Sequence, residues 1–207
     1  MNNPVKGACF KLLNLNFFCL LSLVLHKIGG ALPMPVIFCI LNILGLVFFL
    51  PFVAGKLSRN WLKANMKSFA LRGLFNNIGL YTWLLAMKYL GPNEATAISF
   101  AIPVITLLLS SIFCGDRISG GIIFSIILCL IGGYVTIAPK LNMEFTSFGI
   151  IFAIISSFSW AGYDITCKLQ SKTENVISQS FKNYLYSGFL SVFFLVFYVE
   201  ELQNIAF

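Results

Sequence analysis

Apolar residues in this chain come in long continuous runs separated by short polar punctuation, without the alternation that marks membrane strands. Seven runs are each about long enough to cross a bilayer: 10–26, 32–54, 68–90, 95–114, 119–138, 147–168 and 180–199. A helix of roughly 20 apolar residues spans the hydrocarbon core. In lipid every backbone amide must find its partner internally, and continuous rather than alternating runs favour helices over a barrel. The predicted fold class is therefore all-α, a polytopic membrane helix bundle of about seven transmembrane helices.

The punctuation sets the organisation. Gly55 to Lys67 is the longest polar interval and reads as a loop between the second and third helices. Gly91 and Pro92 end the third helix, with Asn93 placed to cap the fourth. Gly115 to Gly120 closes a tight helical hairpin, and Ala138-Pro139-Lys140 ends the fifth helix. The linker from Lys140 to Ser147 is the best boundary, giving a five-helix unit over 1–138 and two further helices over 139–207. An odd number of crossings makes whatever follows enter the membrane upside down. Inverted repeats of that kind build carriers, because two halves can rock about a central site.

Composition agrees with the pattern: 58% of residues are hydrophobic and 10% charged, with a mean hydropathy of +0.90, whereas soluble domains carry about 25% charged residues. A net charge of +7 would suggest nucleic acid in a soluble protein, but here basic residues that hold loops in the cytoplasm explain it. With the N-terminus inside, the cytoplasmic segments hold Lys6, Lys11, Lys56, Arg59, Lys63, Lys67, Arg72, Arg117, Lys168, Lys172 and Lys182. The outside holds Lys27, Lys88 and Lys140, together with Glu94, Glu144, Glu200 and Glu201. Eleven against three predicts an N-terminus in the cytoplasm and a C-terminus outside, in the inner (plasma) membrane. Seven-helix receptors have the opposite orientation. The first run also admits a second reading, a signal peptide cut near Gly29, Gly30 and Ala31. Cys9, Cys19, Cys39, Cys114, Cys129 and Cys167 are scattered singly, without metal or redox spacing, and read as small packing residues.

Few side chains offer chemistry. Asp164 lies within the sixth run, where a carboxylate costs about 2.5 to 3.5 kcal/mol on insertion scales and is expected to face protein or a wet cavity. The alternative pairs it with Lys168 one turn on, both reaching the interface. Ser156, Trp160, Tyr163 and Asp164 share a helical face, as a cavity lining would. In the third run Asn77, Tyr81 and Lys88 fall within about 40° of one another at 100° per residue, with Asn76 and Trp83 on a neighbouring stripe. Asn and Tyr there serve either as interhelical glue or as donors to an anionic or zwitterionic substrate. Pro103 frees a carbonyl and permits a kink in the fourth helix, where Ser99 and Thr106 can meet the local backbone. Gly149, Ala153, Ser157 and Ala161 recur every fourth position, a spacing for close helix packing. The substrate-binding candidates are thus Asn77, Tyr81, Lys88, Ser99, Trp160, Tyr163 and Asp164. Asp164 and Glu94 are the proton-carrier candidates. No HExxH, GxSxG or P-loop occurs, an aspartyl-protease reading lacks a second acid at membrane depth, and His26 reads as interfacial. No enzyme, cofactor, metal or nucleic-acid partner is expected.

The run Leu85-Ala86-Met87-Lys88-Tyr89-Leu90-Gly91-Pro92, then Glu94 to Ala97, Pro103, Gly115-Asp116-Arg117-Ile118 and Gly132-Gly133, resembles the EamA domain of the drug/metabolite transporter superfamily. Asp116 stands where that family usually has Glu. Ser159-Trp160-Ala161-Gly162-Tyr163 resembles the opening of the family's second domain. Arg72-Gly73-Leu74 and Ser99 to Pro103 are similar to the S-adenosylmethionine uptake carriers within it. The resemblance implies ten helices in two inverted five-helix domains, of which this chain would lack the last three. It implies a secondary transporter of a small polar or amphipathic metabolite that works by alternating access. The alternative is a truncated or accessory membrane subunit without transport of its own, acting as a homodimer or with a complementing polypeptide that supplies the missing helices.

Overall fold

The computed structural model describes residues 4–28, 32–56, 61–62, 64–138 and 147–198. The candidate cleavage site at Gly29, Gly30 and Ala31, the linker over 140–146 and the acidic residues Glu144, Glu200 and Glu201 lie outside them. Every regular element among the described residues is helical: α1 (Pro4–Ile28), α2 (Met34–Val53) with a 3-10 turn at Ala54–Lys56, α3 (Met66–Leu90), α4 (Pro92–Ser99), α5 (Ile102–Cys114), α6 (Gly120–Ile137), α7 (Ser147–Gln170) and α8 (Val176–Phe197). Met34–Val53, Pro92–Cys114 and Phe148–Gln170 are long and apolar enough to cross a membrane on their own.

The protein is inside out relative to a soluble one. Among the described residues 18 buried side chains are polar or charged and 16 are hydrophobic, while large apolar groups such as Phe10, Phe48, Ile112 and Phe124 are exposed. That distribution fits a hydrocarbon solvent, in which the polar groups are the ones that seek shelter.

α3 is the central element. It packs along α7, against α8 and α2, and against α4. The fourfold stripe of α7 makes the first of these contacts close: Ala153, Ser157 and Ala161 are 0–1% exposed. A Cβ at Gly149 would stand 2.6 Å from the Leu90 side chain. α8 packs mainly on α2 and α3, α5 on α7, and α6 on α4 alone among its closer neighbours. An apolar cluster around Phe38, Trp83, Leu84, Met87 and Ala153 fills the end of the bundle near Gly91.

The fourth run differs from the single kinked helix over 95–114 that the sequence suggested. It begins at Pro92, with Gly91 rather than Asn93 in the N-cap position, and it is broken at Phe100–Ala101 into α4 and α5. The break precedes Pro103 because a proline acts one turn back: it has no N–H for the Ser99 carbonyl, and its ring crowds that turn. The chain tightens there into three-residue bonds, Phe100 N to Ala97 O at 3.2 Å and Ala101 N to Ile98 O at 3.0 Å. Ser99 Oγ donates to Ala95 O at 2.9 Å. Thr106 Oγ1 is buried without a hydrogen-bond partner among the described residues.

At the end of the bundle opposite Gly91, the 115–119 hairpin is tied to α7. Lys168 pairs with Asp116 and also donates to Ser110 Oγ at 3.1 Å. Tertiary folding thus offers Lys168 a carboxylate other than Asp164, the i, i+4 neighbour that the sequence put forward.

Candidate functional site

The break between α4 and α5 opens onto an interior cavity of about 560 Å³. α1 contributes Asn14, Phe17 and Phe18; α2, Asn42; α3, Asn76 and Trp83. Ser99 and Ile102 flank the break, and Trp160, Tyr163 and Asp164 of α7 face Tyr184 of α8. Small residues let these walls approach. Gly79 of α3 lies under the Trp160 indole, with 3.3 Å from an added Cβ to the ring, and Ser156 Oγ donates to the Gly79 carbonyl at 2.9 Å. Trp160 and Tyr163 meet edge to face at 5.4 Å, and Phe18 lies 4.9 Å from Trp83 between ring centroids.

Several polar groups around the cavity hold the helices together. Asn76 Nδ2 donates to Asn42 Oδ1 at 3.3 Å and to Ser187 Oγ at 3.2 Å, while Asn42 Nδ2 donates to Phe38 O. These amides hold α2, α3 and α8 together. Trp83 Nε1 is buried with no hydrogen-bond partner among the described residues. Asp164 is exposed and is the one charged side chain among the described lining residues.

Of the seven substrate-binding residues expected from sequence, Ser99, Trp160, Tyr163 and Asp164 come together here. The other three do not. Asn77 and Tyr81 line a separate, apolar pocket of about 280 Å³ between α2, α3 and α8. Asn77 Nδ2 donates across to Ser187 O at 3.1 Å, and Tyr81 packs edge to face on Phe38 and Phe194. Lys88 is exposed in the last turn of α3. The reason is helical phase: Asn76 and Asn77 point about 100° apart, so only the Asn76 stripe meets the cavity. Glu94, the other proton-carrier candidate, is buried over Gly91 at the start of α4, its Oε2 2.8 Å from where a Cβ would stand, and is not part of the lining.

Sequence reasoning passed over Arg72. Counted as a flanking cytoplasmic charge, it is 3% exposed and sits directly behind Tyr163. Nη2 donates to Tyr163 OH at 2.8 Å, and Nη1 to Gln170 Oε1 at 2.8 Å and Gln179 Oε1 at 3.1 Å. The guanidinium carbon lies 4.6 Å from the Tyr163 ring centroid. A signal was present: Arg72, Asn76, Leu80 and Trp83 form one helical stripe at i, i+4, i+8 and i+11. Lys182, also counted as a cytoplasmic charge, is fully buried in α8 and paired with Glu174 at 2.5 Å.

A polytopic helix bundle with a polar interior and a cavity at a broken helix has the architecture of a membrane carrier. Residues 5–138 match the EamA-like transporter family, and the chain belongs to that family, within the drug/metabolite transporter superfamily. The chain is 28% identical over 148 residues to a Rickettsia bellii protein named S-adenosylmethionine uptake transporter, covering 70% of this chain and 50% of that one. It is 25% identical over 199 residues to the Rickettsia prowazekii protein of the same name, covering 93% and 66%. An uncharacterized transporter of Acidianus ambivalens is 24% identical over 123 residues, covering 59% and 46%. The chain thus spans about half the length of most of these curated relatives. No solved structure matches it significantly.

Proposed function

We propose that the chain acts in secondary transport, carrying a small amphipathic metabolite with a cationic group across the inner membrane by alternating access. The carrying observation is the cavity at the α4–α5 break, whose described lining holds one charge, Asp164, among the rings of Trp83, Trp160, Tyr163 and Tyr184. A carboxylate and aromatic faces together favour a cation that also has apolar surface. Its volume suits a small molecule, since such sites run from about 300 to 1,000 Å³. Helices broken at a central site are the usual moving parts of carriers.

The similar Rickettsia proteins supply a candidate, S-adenosylmethionine. Its sulfonium suits Asp164 and its adenine suits the aromatic walls. The distribution of Lys and Arg supports an N-terminus in the cytoplasm and a C-terminus outside. The test is uptake of radiolabelled S-adenosylmethionine into proteoliposomes. Asp164→Asn is expected to abolish uptake while leaving insertion intact; unchanged uptake would remove Asp164 from the mechanism. Wild-type chain that neither binds nor moves metabolites would support the other reading, an accessory membrane subunit that works with a second polypeptide.

A further inference from the structure

Arg72 presents an unusual electrostatic situation. A guanidinium that is 3% exposed would ordinarily be matched to a carboxylate, because an isolated buried charge is strongly disfavoured. Here its hydrogen-bond partners are neutral oxygens, from Gln170, Gln179 and Tyr163. No carboxylate among the described residues forms an ion pair with it. Three of the five donors of a guanidinium are used in these bonds, and Nε makes none. Nε and Nη2 form the edge on which guanidinium binds a carboxylate with two parallel hydrogen bonds. The group occupying that edge is the Tyr163 hydroxyl on Nη2, and Tyr163 is itself a wall of the cavity.

We propose that Arg72 is an anion subsite of the transport pathway, which receives the carboxylate of a zwitterionic substrate when Tyr163 swings away from the guanidinium. This rests on the cavity being a substrate site. It adds a second, oppositely charged anchor to Asp164 and makes Tyr163 the side chain that separates the two. The glutamines then hold Nη1 throughout, fixing the fork while its other edge exchanges a neutral hydroxyl for an anion. No covalent bond is made or broken, and the exchange replaces a neutral acceptor with a charged one, the stronger type of hydrogen bond.

The experiment compares two probes on detergent-purified full-length chain by calorimetry: S-adenosylmethionine and its decarboxylated analogue, which keeps the adenine and sulfonium. Wild type is expected to bind the carboxylated probe about 10-fold or more tightly over the analogue, the scale of a charged hydrogen bond. Arg72→Gln is expected to erase that preference by weakening only the carboxylated probe. Tyr163→Phe keeps the ring and removes the competing hydroxyl, so affinity for the carboxylated probe is expected to rise while that for the analogue stays level. Should Arg72→Gln fail to fold, Arg72→Lys keeps the charge without the fork and is expected to retain only part of the preference.

Equal binding of the two probes by wild type would overturn the subsite and leave the cavity reading standing. Equal weakening of both probes in Arg72→Gln, with no gain in Tyr163→Phe, would make Arg72 a structural clasp only and overturn the proposal. Binding of neither probe by wild type would overturn the cavity reading, and the subsite with it.

Discussion

The buried pair of Lys182 and Glu174 offers a sharp test of how this bundle holds charge. Lys182 has a side-chain exposure of 0% and Glu174 of 11%, with Nζ 2.5 Å from Oε1. Nζ also lies 4.6 Å from the Trp61 ring centroid and 5.1 Å from that of Phe69, and a long 3.5 Å contact reaches Ala64 O. Removing one member of a buried pair is destabilising by about 3 to 5 kcal/mol, because the other charge is left without compensation. The two deletions are not equivalent. Glu174 sits in the turn before α8 and can recover water when Lys182→Met removes its partner. Lys182 cannot; after Glu174→Gln it keeps the long contact to Ala64 O and the two aromatic faces, each of the latter worth about 0.5 to 2 kcal/mol. Glu174→Gln is therefore expected to be the worse of the two, near the upper end of that range. At about 2 to 4 °C per kcal/mol for a chain of this size, its melting temperature falls by roughly 10 to 20 °C. Lys182→Met combined with Glu174→Gln removes both charges and keeps an apolar side chain between the rings, and is expected to return to within about 1 kcal/mol of wild type. The assay is thermal unfolding in detergent followed by fluorescence size exclusion. A double variant as unstable as Glu174→Gln alone, or single variants that melt with wild type, would refute the reasoning.

Two further outcomes follow from local geometry. The hydrogen bonds from Lys168 and Ser110 hold the Asp116 carboxyl below its ordinary value of 3.8, outweighing partial desolvation. A depressed carboxyl stabilises the fold above the unfolded-state value and loses that stabilisation as pH falls through the folded-state value; melting curves of wild type and Asp116→Asn are thus expected to be separated at pH 7 and to converge below about pH 4. Since both partners are substantially exposed, the separation is expected to be small and to shrink with salt. At Gly149, a leucine would drive into Leu90, 2.6 Å from the added Cβ, whereas Gly120 faces open space; Gly149→Leu is expected to lose the monodisperse size-exclusion peak and Gly120→Leu to keep it.

The helices were legible because continuous apolar runs leave a lipid-embedded backbone few other choices. The broken fourth helix was half legible: Pro103 announced a disturbance, but the turn that gave way lay before it. The cavity lining was legible on α7, where Trp160, Tyr163 and Asp164 follow one another closely. On α3 it was not, because two polar stripes 100° apart looked alike and only the packing of α7 and α8 decides which meets a cavity. Arg72 and Lys182 were hidden for a different reason. Each sits near the end of an apolar run, where a charge looks like a loop anchor. Some of the partners that draw them inside, such as Gln170 for Arg72, are 98 residues away.

This points to what hydropathy measures in such a chain. α3 and α8 carry the buried Arg72, Asn76, Asn77, Gln179, Lys182, Asn183, Ser187 and Ser191, and neither is among the helices apolar enough to span a membrane unaided. Both are enclosed by others, packing on each other and on α2, and α3 also along α7. An apolar surface is required only of a helix that touches lipid; one wrapped by neighbours is free to carry the amides and charges that bind helices or substrates. Arg72, on the most central helix of the bundle, is placed accordingly.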